Sequence, residues 1–142
     1  MQQLSTPKPA AAADADRRPR PIIAYHVRDL FFGVRVTEGL ARLQLDARPL
    51  TLVTSTELLA QASLAIVDLS APVAQWQPLI AAAGVAGVPV LAFGSHMDQE
   101  RWRLARATGA TRLVANSQLV AQFPELVGQL VKVPRDRESP RS

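Results

Sequence analysis

The amino-acid sequence predicts a three-layer, doubly wound α/β domain built on a five-stranded parallel sheet. Short apolar runs alternate along the chain with longer segments of helical periodicity, a pattern that favours parallel strands joined by right-handed helical crossovers. Two of the runs, "LAIVD" (64–68) and "VPVLAF" (88–93), show no apolar–polar alternation, as expected for strands covered by helices on both faces. The chain has 142 residues, of which 48% are apolar, so it is long enough for one domain with a sizeable core.

The first strand, the first helix and the second strand are predicted from the spacing of apolar side chains. The strands are residues 21–27 and 50–54. Between them, residues 29–43 carry apolar side chains every three or four positions, which indicates a helix with one buried face. Asp29 stands at the start of this helix as its predicted N-cap.

Capping-box patterns predict where the second and fourth helices begin. Thr54 is followed three residues later by Glu57, and Ser95 is followed at the same spacing by Asp98. Gly109 provides the stop signal of the fourth helix. The helices so predicted are residues 56–62 and 97–110.

Proline marks the predicted starts of the other two helices. Residues 71–87 contain Pro78, which is expected to open the regular part of the third helix because proline is tolerated in a first turn and not further in. Pro124 has the same position in the last predicted helix, residues 124–131, which follows the fifth strand, residues 111–115.

The net charge of +4 belongs to the two ends of the chain. Residues 1–20 and 132–142 each carry a net charge of +2 and are rich in Pro, Ala, Ser or charged residues, so both are predicted to be disordered basic tails. Residues 21–131, the predicted domain, are neutral. Contact with nucleic acid is therefore expected only through the tails and without sequence specificity.

Composition argues against several classes of protein. The sequence has no cysteine, which excludes disulfides and zinc–thiolate sites, and it has only two histidines. No apolar run approaches the roughly 18 residues of a membrane-spanning helix. The N-terminus lacks the apolar stretch of a secretory signal, so a cytoplasmic location is expected. No nucleophile–base–acid set and no glycine loop for phosphate can be assembled, which disfavours an enzyme or a nucleotide binder.

Polar side chains follow the strands at the edge where the carboxyl ends meet, which is where doubly wound sheets bind ligands. Asp68 ends the third strand, Arg28 and Asp29 follow the first, Ser95 follows the fourth and Asn116 follows the fifth. The buried run before Asp68 therefore comes to the surface where a carboxylate can meet water, a metal or a hydrogen-bond donor.

This set of residues resembles the receiver domain of bacterial response regulators over residues 21–131. The shared features are Asp68 followed four positions later by Pro72, the segment "PVLAFGS" that ends at Ser95, and the passage "ATGATRLVAN". The resemblance implies a flavodoxin-like, receiver-type fold, with Asp68 as the phospho-acceptor and Ser95 as the switch hydroxyl.

The sequence departs from the receiver pattern at two places that matter for chemistry. Receivers end the first strand with two adjacent acids that hold Mg²⁺ together with the phospho-acceptor, whereas here only Asp29 is available beside Asp68. Receivers end the fifth strand with a lysine, and Asn116 stands in that place. Phosphoryl transfer depends on charge neutralisation, so the resemblance is to a degenerate pseudo-receiver, with no cofactor expected and at most a weak Mg²⁺ site at Asp29 and Asp68.

Four residues at this edge have more than one interpretation. Asp68 is either a phospho-acceptor or an acid satisfied by backbone N–H groups. Asp29 is either a residual Mg²⁺ ligand or an N-cap. Ser95 can be a switch hydroxyl and a helix cap at once. For Arg28 we form the hypothesis that its guanidinium neutralises Asp68 in place of a metal.

Trp102 lies in the predicted fourth helix with Arg103 and Arg106 close by. Tryptophan and arginine are frequent at binding hot spots. The resemblance implies that the fourth helix, fifth strand and fifth helix form a partner-binding face, so a protein partner or a second copy is expected there. The alternative is a tryptophan laid over the fifth strand.

The leading functional hypothesis is a stand-alone pseudo-receiver that serves bacterial signalling as a protein-interaction module without phosphorylation. The alternative is a functional phospho-acceptor receiver with atypical site residues. A nucleotide or flavin binder, and a nucleic-acid binder acting through the tails, are further classes that the fold and the charge allow.

Overall fold

The computed structural model describes residues 19–138, with side chains described as far as Val131. The strands are β1 (Ile22–His26), β2 (Asp46–Pro49), β3 (Ala62–Asp68), β4 (Val90–Gly94) and β5 (Arg112–Ala115). The helices are α1 (Leu30–Arg42), α2 (Ser55–Leu59), α3 (Val73–Ala86), α4 (Gln99–Thr108), α5 (Asn116–Ala121) and α6 (Phe123–Glu138).

The five strands are parallel and form one sheet in the order β2-β1-β3-β4-β5. The chain proceeds in one direction from β1 to β2 and in the opposite direction from β3 to β5, so the order reverses between β1 and β3. The helices between the strands cover both faces, which confirms the predicted doubly wound α/β class. The carboxyl ends of β1, β3 and β4 meet at one edge beside this reversal.

Two hydrophobic cores lie on the two faces of the sheet, and β3 contributes to both. Ala65 and Val67 belong to the core that contains Trp76 of α3. Leu64 and Ile66 belong to the core on the opposite face, which includes the buried side chains of α1 and α6. All four β3 side chains are fully buried, which is why the run shows no polar alternation.

The second strand lies four residues earlier than the sequence predicts. Residues 46–49 pair with β1, whereas residues 50–54 form the turn and the approach to α2. β2 is an edge strand with a single neighbour, so its residues stay partly exposed and carry no apolar run. Asp46 and Arg48 form an ion pair of 2.8 Å on this strand, and charges there oppose edge-to-edge association.

The predicted N-caps of the first two helices have different outcomes. Asp29 caps α1 as predicted, since its Oδ1 accepts hydrogen bonds from the N–H groups of Phe31 and Phe32 at 2.8 and 3.2 Å. Thr54 holds the N-cap position of α2 without a capping hydrogen bond. Its hydroxyl is 3.0 Å from the hydroxyl of Thr51, so the preceding turn uses it instead.

The fourth helix begins later than predicted. Asp98 is the N-cap of α4, and the helix starts at Gln99 and ends at Gly109 as expected. Ser95 lies in the turn before the helix, where its Oγ accepts a hydrogen bond from Met97 N–H at 3.2 Å. Serine and aspartate are both good caps, and here the second of them ends the turn.

The third helix begins earlier than predicted, because α3 starts at Val73 with Pro72 as its N-cap and has Pro78 in its interior. Trp76 is fully buried, and a helix that includes it brings the indole into the core. Proline leaves the carbonyl of Ala74 without its helical partner, and Ala74 is exposed to water, which can replace that partner.

Two helices follow β5 where one was predicted. The sequence does not predict α5 because the segment buries only Leu119 and has little periodicity. α6 continues to Glu138, so residues 132–138 are helical although they were assigned to the C-terminal tail, because a helix can extend past its last apolar position. The other predicted tail residues, 1–18 and 139–142, lie outside the described residues. No helix of the described part has both the length and the apolar character needed to cross a bilayer.

Candidate functional site

Asp68 ends β3 and is the one buried charged residue among those that the structure describes, with 1% exposure. Its carboxylate accepts three hydrogen bonds from backbone N–H groups. Oδ2 accepts from Arg28 and Asp29 at 3.0 and 3.1 Å, and Oδ1 accepts from Ser70 at 2.9 Å. Both oxygens of the carboxylate are therefore bound by the protein itself.

Two turns deliver the donors to Asp68. The segment between β1 and α1 passes the end of β3, which brings the N–H groups of Arg28 and Asp29 to one oxygen. Ser70 is two residues further along the chain, so its N–H reaches the other oxygen within the turn after β3. Hydrogen bonds to charged groups contribute roughly 1.5–3 kcal/mol each, which offsets the removal of the carboxylate from water. This is the arrangement of an acid satisfied by backbone donors.

Asp29 takes part in the site through its backbone, while its side chain serves the helix. Its N–H binds Asp68, and its Oδ1 caps α1. Within the described residues, no group of three His, Cys, Asp or Glu side chains could hold a metal ion. Mg²⁺ prefers near-octahedral oxygen ligands, usually from more than one carboxylate, and the donor set at this edge does not fit that requirement.

Arg28 also acts through its backbone N–H. Its side chain is exposed, and the ion pairs of the described part of the chain do not include one between its guanidinium and Asp68. The positive ends of three peptide dipoles take the place that the hypothesis gave to the guanidinium.

Arg101 connects the turn after β3 to the start of α4. Its Nη1 donates hydrogen bonds to the carbonyl oxygens of Leu69 and Ala71 at 2.5 and 2.6 Å. Its Nε lies 3.1 Å from Oδ2 of Asp98, the N-cap of α4. One guanidinium therefore fixes the segment that follows Asp68 against the segment that follows β4.

A cleft of about 310 Å³ lies where the ends of β3, β4 and β5 meet. Its lining includes Ser70, Ser95, Arg101, Trp102 and Asn116. The structure thus brings Ser95 and Asn116, both predicted as edge residues, to one place. Arg28 and Asp29 do not line this cleft.

The three residues predicted for an interaction face differ in exposure. Trp102 is half-buried and packs against the same core as Leu113 of β5, with its indole N–H buried and without a hydrogen-bond partner among the described groups. Arg103 and Arg106 are exposed, and Arg103 forms an ion pair with Glu100. The surface of α4 is therefore basic, and its tryptophan lies mainly beneath it.

The sheet order and the buried aspartate at the end of the third strand define the class: this is the flavodoxin-like fold of response-regulator receiver domains. Solved structures of that class align with most of the chain. The signal receiver domain of an HD domain-containing protein from Pseudomonas fluorescens aligns with a TM-score of 0.71 and 16% identity, covering 85% of this chain and 94% of that chain. The receiver domain of the sensor histidine kinase PA1611 from Pseudomonas aeruginosa, which has a magnesium ion in its active site cleft, aligns with a TM-score of 0.67 and 11% identity, covering 80% and 98%.

A third similar structure is TadZ, a CheY-like protein from Pseudomonas aeruginosa, with a TM-score of 0.63 and 16% identity over 78% of this chain and 99% of that chain. No protein-family model matches the sequence, and no curated protein matches it either. At these identities the likeness establishes the fold, and the chemistry of the site has to be argued from the residues.

Two parts of the site were not predicted from the sequence. The Ser70 amide could have been, because an aspartate at a strand end commonly binds an N–H two residues further on. Arg101 and Asp98 have the spacing of a helical ion pair, which is also a readable signal. The contacts of Arg101 with Leu69 and Ala71 depend on how α4 packs, and no local pattern indicates them.

Proposed function

We propose that this protein is a degenerate receiver, a pseudo-receiver that acts in signalling by binding another protein and does not depend on phosphorylation. The observation that carries the proposal is the state of Asp68, whose two carboxylate oxygens are both bound by backbone N–H groups. A nucleophilic oxygen would have to give up at least one of these bonds to attack a phosphoryl group.

The charges around Asp68 support the proposal. Phosphoryl transfer relies on positioning and on neutralising charge with a metal and a cation. The Asp29 carboxylate is committed to capping α1, and Asn116 provides no positive charge in the place where receivers have lysine. Arg101 lines the neighbouring cleft, but Leu69, Ala71 and Asp98 already engage its guanidinium.

The proposed partner surface is the face formed by α4, β5 and the helix that follows. Arg103 and Arg106 give α4 an exposed basic surface, which suits a partner with carboxylates at the matching positions. A cytoplasmic location and independence from Mg²⁺ belong to the same proposal.

The alternative is a working phospho-acceptor, and one observation favours it. The cleft between Ser70, Ser95 and Asn116 has a volume of about 310 Å³, so there is space beside the end of β3 for a phosphoryl group. Under this alternative, Asp68 would exchange an amide for the incoming group.

A titration with beryllofluoride and Mg²⁺, followed by amide NMR spectra, separates the two functions. We expect no saturable shifts at the turns after β3 and β4, because Asp68 is occupied and a Mg²⁺ ligand set is lacking at this edge. The PA1611 receiver domain, handled identically, serves as the positive control. Saturable shifts that appear in the wild-type protein and disappear in D68N would establish the phospho-acceptor and overturn the proposal.

A further inference from the structure

Five apolar side chains are exposed at the edge of the sheet where β1 and β2 end, and we call them the apolar patch. Leu30, Phe31 and Val34 belong to α1, and Leu52 and Val53 to the turn after β2. Leu30 and Val53 are 85% and 93% exposed, and the other three are more than half exposed. Single exposed apolar residues need no explanation, but a group of five at one edge is typical of an interaction surface.

The two halves of the patch leave the sheet side by side. Leu50 N–H donates to the carbonyl oxygen of Tyr25 at 2.7 Å, and Nδ1 of His26 donates to the carbonyl oxygen of Leu50 at 3.0 Å. The chain reaches Leu52 and Val53 two and three residues after Leu50, and α1 begins four residues after His26. Residues four apart on a helix lie on one face, so Leu30 and Val34 form a ridge.

The turn that carries Leu52 and Val53 is held in one shape. Thr51 and Thr54 bind each other through hydroxyl and amide groups at 3.0 to 3.3 Å. The Ser55 hydroxyl donates to the carbonyl oxygen of Leu52 at 3.3 Å. The two apolar side chains are thus presented by a pre-organised turn, which lowers the entropy lost on binding.

The charges beside the patch indicate what covers it. On the α1 half, Arg28 and Arg35 are exposed, and the carboxylate of Asp29 is committed to capping the helix. Beside the other half, Glu57 is exposed in the first turn of α2. One half is basic and the other acidic, so the surface is complementary to itself. A two-fold axis places each half against the other half of a second copy.

We propose that the apolar patch binds a second copy of this chain in a two-fold dimer, with α1 of each protomer against the turn after β2 of its partner. The apolar side chains then lose contact with water, and Arg35 approaches Glu57 of the partner subunit twice. This dimer is independent of whether Asp68 accepts a phosphoryl group, and it uses a different face from that proposed for a protein partner.

Sedimentation equilibrium of the full chain over a range of concentrations tests the dimer. We expect a concentration-dependent dimer for the wild-type protein and a monomer for the double variant Leu30→Ser, Val53→Ser. Val85→Ser is the matched control, because Val85 is 91% exposed on α3 and lies outside the patch. Both variants replace exposed side chains, so an unchanged urea midpoint verifies that each is folded.

Exchanging the charges tests the orientation. R35E and E57R are each expected to weaken the dimer by about tenfold, because the two-fold axis duplicates the modest effect of one surface ion pair. The combined R35E/E57R variant is expected to restore the wild-type dissociation constant. Failure of the combined variant to restore it would overturn the proposed arrangement.

Two other results would also overturn the proposal. One is a wild-type protein that remains monomeric at every concentration, or a Leu30→Ser, Val53→Ser variant that still dimerises. The other is a monomer that binds vesicles of mixed phosphatidylcholine and phosphatidylserine through the patch, which would assign the surface to a membrane.

Discussion

At the scale of single residues, the central fact is a buried carboxylate that is surrounded by donors. Asp68 is bound by three backbone amides, and no second carboxylate converges on it within the described residues. In a cluster of acids, removing one negative charge relieves repulsion and stabilises the fold. Here the sign is reversed, because removing the charge leaves donors without an acceptor.

Replacing Asp68 with asparagine is therefore expected to destabilise the protein by about 1–3 kcal/mol, since the new amide group faces an N–H donor. Urea unfolding measures this change. Asp29→Asn is the matched control, because asparagine caps a helix as well as aspartate does, and little change is expected. A D68N variant more stable than the wild type would show that Asp68 suffers repulsion, contrary to the described geometry.

Arg101 is a positioning residue in the same site. Lysine cannot span two carbonyl oxygens and a carboxylate as the planar guanidinium does, so R101K is expected to lower the free energy of unfolding by about 1–3 kcal/mol. Amide hydrogen exchange should also accelerate in the turn after β3. R103K, in the exposed ion pair with Glu100, should change stability by less than about 0.5 kcal/mol. Equal effects of the two substitutions would contradict the role given to Arg101.

At the scale of elements, the contact between α1 and α6 depends on a glycine. A Cβ atom at Gly39 would lie 2.6 Å from the ring of Phe123, which is 7% exposed and belongs to the core. Gly84 lies in α3, and a Cβ there would meet nothing within 4 Å. The two helical glycines differ, then, only in what surrounds them.

Gly39→Ala is expected to destabilise the fold by about 1–3 kcal/mol, because the ring of Phe123 has to move in a packed core. Gly84→Ala is expected to stabilise it by roughly 0.5–1 kcal/mol through helix propensity alone. Thermal and urea unfolding of both variants compare the two effects. A stabilising effect at Gly39 would mean that α1 and α6 are less closely packed than described.

The elements also show what local sequence can and cannot determine. β3 and β4 were predicted within two residues of their observed bounds, because strands covered on both faces must be apolar throughout. β2 was misplaced because an edge strand has no such requirement, while the apolar residues of the next turn imitate a strand. α3 begins before Pro78 because burial of Trp76 outweighs the lost hydrogen bond.

At the scale of the whole molecule, the order of the strands follows from alternating elements and right-handed crossovers, and it was predictable. It places the ends of β1, β3, β4 and β5 at one edge, and this is why the residues of the site could be chosen from the sequence. How those residues bind one another could not be chosen in the same way. The donors to Asp68 are backbone groups, and amide positions are set by the path of two turns rather than by residue type.

Intact-mass analysis after incubation with acetyl phosphate and Mg²⁺ tests most directly the claim that Asp68 does not act as a phospho-acceptor. The PA1611 receiver domain, incubated in parallel, is the positive control for the reagent. We expect the wild-type chain to retain its unmodified mass, because both oxygens of Asp68 are occupied and the edge provides no magnesium ligand set. Addition of one phosphoryl group to the wild type, and none to D68N, would contradict the account.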